Sequence, residues 1–186
     1  MEDVQECQTD IFLPDLWSVY FHDPNNKDWN LASYIKLYDV GTVQEFWQIH
    51  ECLSPRLRNG MFFFMRADCF PCWDDPANIN GGCLSVKVLK ENLETFWQEL
   101  SMRISGETLL RAEHNNKYHL VNGISTSPKK YFCVVKIWLR SDEIGDKKFF
   151  DIPHLYNGDV FYKKNLDVIK SQQHPPGAIE HGNAMD

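Results

Sequence analysis

Two tryptophans sit in stretches that read as loops. Trp73 lies in Phe70-Pro71-Cys72-Trp73-Asp74-Asp75-Pro76-Ala77-Asn78-Ile79-Asn80-Gly81-Gly82, where prolines at 71 and 76 and glycines at 81 and 82 oppose both helix and strand. Trp29 closes His22-Asp23-Pro24-Asn25-Asn26-Lys27-Asp28, a polar turn. A loop indole folded back onto the edge of the core is the ordinary arrangement. Two of them in two polar loops, one followed at once by two carboxylates, offer more. An indole face attracts a flat cationic ring, and a neighbouring carboxylate accepts two parallel N–H donors from that ring's edge. Those are the means of holding a cationic purine.

Other chemistries fit less well. The six cysteines fall at 7, 52, 69, 72, 83 and 133. Cys69-x-x-Cys72 raises the question of zinc, but a structural site needs four ligands, and no second CxxC or HxxxH follows. His50-Glu51 with the cysteine pair superficially resembles a zinc deaminase. That signature requires His-x-Glu followed by Pro-Cys-x-x-Cys; here His and Glu are adjacent and the proline lies inside the pair. No P-loop, nucleophile elbow or Gly-rich dinucleotide motif is present. The chain is therefore read as a binding protein, not an enzyme, with no cofactor and no metal. A formal net charge of -7 argues against sequence-independent duplex binding, which needs many Lys and Arg, while leaving room for a local phosphate pocket. The acidic Met1-Glu2-Asp3-Val4 start lacks the features of a signal peptide. No stretch is apolar for long enough to span a membrane. The expectation is a cytoplasmic or nuclear monomer with free thiols.

The elements that must position these residues follow from periodicity. At 186 residues the chain suits one domain, expected over 11–170, with a flexible segment over 1–10 and a disordered tail over 171–186. Strands are predicted at Leu16–Phe21, Leu31–Tyr38 (broken by Asp39-Val40-Gly41-Thr42), Met61–Met65, Cys83–Leu89, Lys117–Ile124, Tyr131–Arg140 and near Val160–Tyr162. Ser125-Thr126-Ser127-Pro128 reads as a turn. Thr42 and Glu45 form a capping box for a helix carrying Val43, Phe46, Trp47 and His50. Asn92 caps a second helix with Leu93, Phe96, Trp97, Leu100 and Ile104 on one face, ended by Gly106. Ser141–Leu155 is expected to hold a third, broken at Pro153. Strands that alternate on one side need helices to cover that side. The predicted class is α+β: a curved antiparallel sheet with about three helices on its convex face.

The residues also resemble a known family over roughly 12–140. Leu16-Trp17 with Tyr20-Phe21, Trp29-x-Leu31, Thr42-Val43-x-x-Phe46-Trp47, Pro71-x-Trp73-Asp74-Asp75 with Gly81-Gly82, Phe96-Trp97-x-Glu99 with Ser105-Gly106-Glu107, and Ile137-Trp138 together are similar to eukaryotic translation initiation factor 4E, the binder of the messenger RNA 5′ cap. The resemblance implies that Trp29 and Trp73 sandwich the 7-methylguanine ring. It implies that Asp74, where the family usually has Glu, accepts from the guanine edge, and that Trp138 packs near the N7 methyl group. The triphosphate end departs from the pattern. Cys83 follows the Gly-Gly pair where the family commonly has Arg, and the family's second Arg falls near Ile124 or Ser125. Strand parity with Trp138 points instead to Lys130 first, with Lys129 and Lys136 behind it. The family's other surface docks a helical peptide from a 4G-like scaffold or a 4E-binding protein. Val43, Trp47, Glu99 and Met102 match it, and Pro14 stands near the family's missing His-Pro-Leu segment. The resemblance implies recruitment of the initiation machinery, or repression in its place.

Overall fold

The computed structural model describes residues 9–152 and 160–173. Seven strands form one sheet: β1 Phe12–His22, β2 Tyr34–Thr42, β3 Met61–Arg66, β4 Gly82–Leu89, β5 Val121–Pro128, β6 Phe132–Leu139 and β7 Val160–Lys164. Their order is β2-β1-β3-β5-β6-β4-β7, and every adjacent pair is antiparallel. The sheet is curved, as expected of the α+β class.

The helices are α1 Val43–Leu53, α2 Leu93–Ser105 and α3 Asn165–Gln173. The α1 capping box forms as the sequence predicts: Thr42 Oγ1 accepts from the Glu45 amide at 3.2 Å, and Glu45 Oε2 accepts from the Thr42 and Gly41 amides at 3.0 and 2.8 Å. Gly106 ends α2, but the Asn92 side chain makes no capping bond there.

Alternation divides the sheet into two faces. Trp17, Val19, Phe62, Phe64, Leu84, Val86, Ile124, Val135 and Ile137 pack against Phe46, Leu53, Leu93, Phe96, Trp97, Leu100 and Ile104 from α1 and α2 in the main core. The opposite residues, Tyr20, Phe63, Met65, Cys83 and Trp138, form a smaller cluster with Cys69. Both faces of β3 are thus covered, which is why Met61-Phe62-Phe63-Phe64-Met65 is apolar without alternation.

Several boundaries differ from the sequence reading. Asp39–Thr42 continues β2, because pairing with β1 holds through Trp17↔Val40 and Phe12↔Thr42. Ala112–Leu120 is 3-10 helix rather than strand. Ser125–Pro128 belongs to β5, paired with β3 and β6. The helix expected over Ser141–Leu155 is replaced, up to Ile152, by two 3-10 turns, Asp142–Ile144 and Lys147–Phe149; residues 153–155 lie outside the described residues. The third helix is α3. It takes in 171–173 of the expected tail, and 174–186 lie outside the described residues, as do 1–8 of the expected N-terminal segment. Among the described residues no helix is long and apolar enough to cross a membrane.

Candidate functional site

On the face away from α1 and α2, the sheet and two loops enclose a cavity of about 780 Å³ lined in part by Trp29, Trp73, Asp74, Lys129, Lys136 and Trp138. Sequence positions more than a hundred residues apart meet there. From β6 come Val134, Lys136 and Trp138; from β5, Ser125 and Ser127; from α3, Ile169.

Trp29 is 47% exposed. One face of its indole lies parallel to the His22 imidazole, with centroids 4.1 Å apart and planes 5° apart. His22 is buried at the end of β1, with Nε2 3.0 Å from the Asp28 carbonyl. The loop between them is braced by its own side chains. Asp23 accepts from the Asn25 amide, Asn26 from that of Asp28, Asp28 from that of Asn30, and Asn30 from that of Ser33. Such Asx bonds order a polar turn without a core.

The Trp73 loop is organised by a buried amide. Asn78 is fully buried; its Nδ2 donates to the Phe70 and Cys72 carbonyls, both at 2.8 Å. Its Oδ1 accepts from Asn122 Nδ2 at 2.8 Å and from the Cys69 thiol at 3.2 Å. Asn165 Nδ2 donates to the Asn78 carbonyl at 2.7 Å. Gly81 and Gly82 carry the loop into β4, where a Cβ would strike the Leu139 and Lys163 carbonyls respectively. The adjacent carboxylates divide their work. Asp75 accepts from the Ala77 amide at 2.9 Å, bracing the loop, whereas Asp74 stays exposed at the cavity wall.

Trp138 forms part of the wall from within the sheet. It is 2% exposed, and its Nε1 donates to Ser125 Oγ at 2.9 Å. Tyr34 also lines the cavity. Burial raises its phenol pKa, with Cys72 and Asp74 adding to the effect. Burial likewise pushes the Cys69, Cys72 and Cys83 thiols up to about 12, and no group of three metal-binding side chains occurs among the described residues.

The lysines separate differently from the parity argument. Lys129 and Lys136 line the cavity, while Lys130 lies in the turn between β5 and β6, with Nζ 4.9 Å from the Tyr131 ring centroid. Parity with Trp138 holds for Lys136 and ends where the strand ends, at Phe132.

The helix face carries a second, smaller groove of about 270 Å³, lined by Trp47, His50, Glu51, Ser54, Leu57, Glu94, Trp97 and Gln98. Trp47 is 40% exposed, as is Met102 farther along α2. Glu99 pairs with Arg103 at 3.2 Å. Val43 begins α1, its amide donating to the Ile11 carbonyl at 2.8 Å. Pro14 is exposed on β1. Of the residues expected on this surface, the groove itself gathers Trp47 alone.

The family model of eukaryotic initiation factor 4E matches residues 12–173. This chain belongs to the eukaryotic initiation factor 4E family. The isoform 4E of Capsicum annuum is 34% identical over 132 residues, covering 67% of this chain and 62% of that protein. Factor 4E-1 of Caenorhabditis elegans is 31% identical over 97 residues, covering 47% and 44%. The chain thus spans less than two thirds of the length of these relatives. Among solved structures, a C. elegans eIF4E-3 in complex with the 4E-binding protein Mextli and a cap analog has a TM-score of 0.71 at 18% identity, covering 87% of this chain and 96% of that one. A schistosome eIF4E complexed with m7GpppG and 4E-BP also has a TM-score of 0.71, at 20% identity, covering 93% and 96%. At these identities the likeness shows the fold.

As a 4E-family chain it has supports that its tryptophan pattern does not announce. His22 behind Trp29 and the Asn78–Asn122–Asn165 network behind Trp73 were missed in the sequence. The available signal was weak: polar side chains inside otherwise apolar or glycine-bounded stretches. At Cys83, where this family commonly has Arg, the side chain is buried at 4% exposure and its thiol lies 3.7 Å from Asn165 Oδ1.

Proposed function

We propose that this chain binds the 7-methylguanosine 5′ cap of mRNA in the 780 Å³ cavity, and that it does so without making or breaking a bond. One observation carries the reading: two partly exposed loop indoles and an exposed carboxylate open into one cavity of a 4E-family fold. N7 methylation gives guanine a positive charge, which strengthens its stacking between electron-rich rings. Trp29 and Trp73 supply those rings. Asp74 accepts from N1–H and the exocyclic amine, Trp138 packs near the methyl group, and Lys129 and Lys136 meet the phosphates, with Lys130 more distant. That schistosome and C. elegans neighbours of this fold were solved with m7GpppG and a cap analog supports a cap as the ligand.

The groove beside Trp47 docks a helical peptide of a 4G-like scaffold or of a 4E-binding protein, which decides between initiation and repression. An aromatic anchor beside a pocket on a helical surface suits helix-in-groove recognition, and both of those neighbours were solved with 4E-binding proteins. The deciding experiment is intrinsic tryptophan fluorescence during titration with 7-methyl-GTP and, separately, GTP. Saturable quenching by the methylated nucleotide alone is the expected result. Equal responses to both would overturn the proposal.

A further inference from the structure

We propose that Lys136 is a resident cation of the cavity. Its ammonium rests on the face of Trp73 that a charged base must use, so stacking there requires an anionic tail on the same ligand to draw the ammonium away. This rests on the cap-binding reading and adds a condition to it.

The geometry begins in the sheet. Lys136 stands opposite Ser125 of β5 and Ser85 of β4, two residues before Trp138 on the cavity face, so its stem rises from mid-sheet into the cavity. Its Nζ lies 5.3 Å from the Trp73 ring centroid, inside the ~6 Å reach of a cation–π contact. Among the described residues Lys136 makes no ion pair or hydrogen bond, and Asp74, next to the ring, is not its partner. Lys163 of β7 faces the same side, opposite Cys83. Burial lowers the Lys136 pKa, Cys83 acts the other way, and Lys129 and Lys163 add to the lowering. The Trp73 face is what this ammonium has in place of a counter-ion.

A 7-methylated guanine needs that same face and carries the same sign of charge. Both cannot occupy it, since a stacked ring fills the space above the indole and like charges repel. A phosphate offers the ammonium a stronger, charge-assisted partner. The anionic tail therefore acts twice, by attracting Lys136 and by uncovering Trp73. A methylated nucleoside without phosphates must displace the ammonium with nothing to receive it. If Lys136 were only a phosphate ligand, nucleoside affinity would not depend on it.

The test compares wild type and Lys136→Ala by tryptophan fluorescence, using 7-methylguanosine and 7-methyl-GTP. The variant is expected to bind the nucleoside roughly three- to tenfold more tightly, the size of one released cation–π contact, and the triphosphate more weakly. A ligand-free measurement accompanies it. In wild type the Lys136 ε-methylene protons are expected upfield from the Trp73 ring current, returning to ordinary positions in Trp73→Leu. Nucleoside affinity unchanged or weakened in Lys136→Ala overturns the proposal, as do unshifted ε-methylene resonances. Shifted resonances with no methyl-selective binding by either protein would overturn the cap-binding reading, and the competition with it.

Discussion

The two faces of the sheet each present a partly exposed tryptophan, held in opposite ways. Trp47 projects from α1, whose Phe46, His50 and Leu53 are buried, so its support is the main apolar core. Trp29 and Trp73 project from loops, and their supports are a buried imidazole and a buried amide network. Apolar burial is non-directional and tolerant of small changes, whereas a buried amide network must be satisfied group by group. The cavity indoles therefore depend on individual hydrogen bonds behind them, whereas Trp47 depends on the packing of α1 against the main core.

The sharpest break of this comparison is Trp73→Ala. Stacking contributes about 1–3 kcal/mol per base, so affinity for 7-methyl-GTP is expected to fall by up to roughly a hundredfold. Thermal stability should barely move, because the ring is only partly buried. Undiminished retention on a 7-methylguanosine resin would remove Trp73 from the sandwich. Asn78→Ala comes next. It removes the side-chain hydrogen bond to the Cys72 carbonyl and takes one partner each from the Phe70 carbonyl and the Asn122 amide, which keep the Cys72 amide and the Ala77 carbonyl, for about 1–3 kcal/mol of stability, and cap affinity should fall with it. An unfolding midpoint equal to wild type would show that the loop does not depend on the amide.

Trp47→Ala tests the other face. Loss of about 2 kcal/mol from a peptide anchor means roughly thirtyfold weaker capture of a 4E-binding peptide, with 7-methyl-GTP affinity unchanged. Parallel loss of both would mean that the faces are not independent.

The gentlest effect concerns His50. Its Nδ1 donates to the Phe46 carbonyl at 2.7 Å, and its Nε2 meets Ser101 Oγ at 2.6 Å. Burial lowers its pKa, with the Phe46 bond acting in the opposite direction. The unfolded chain, near the ordinary value of about 6.5, then takes up the proton first. The contribution of His50 is complete above that value and declines as pH falls through it towards the lower folded value. Denaturation from pH 7.5 to 5.5 should show a shallower slope in His50→Gln than in wild type. Equal slopes would rule His50 out as the source.

Legibility follows the range of the interactions. The α1 capping box and the Leu93–Ile104 stripe of α2 were readable because their determinants lie within a few residues of one another. Of the three indoles that line the cavity, Trp29 and Trp73 stood out as loop residues, and Trp138 only through the family resemblance. Ser125–Pro128 was misread because serine, threonine and proline resemble turn residues when their neighbours are unknown. In the fold, Ser125 and Ser127 face the cavity while Thr126 is buried in the sheet. Lys130 was misplaced because alternation was carried past the end of its strand.

By itself the sequence determined the α+β class, the capping box of α1 and the apolar stripe of α2, all set by local preference and short-period patterns. Tertiary structure alone decided which lysines reach the cavity and that Asn78 bonds Asn122 while Asn165 donates to its carbonyl. It also set His22 behind Trp29 and Lys136 on Trp73. Each of these depends on which strands become neighbours, and that register comes from burial summed over both faces of the sheet, not from any single stretch of the chain.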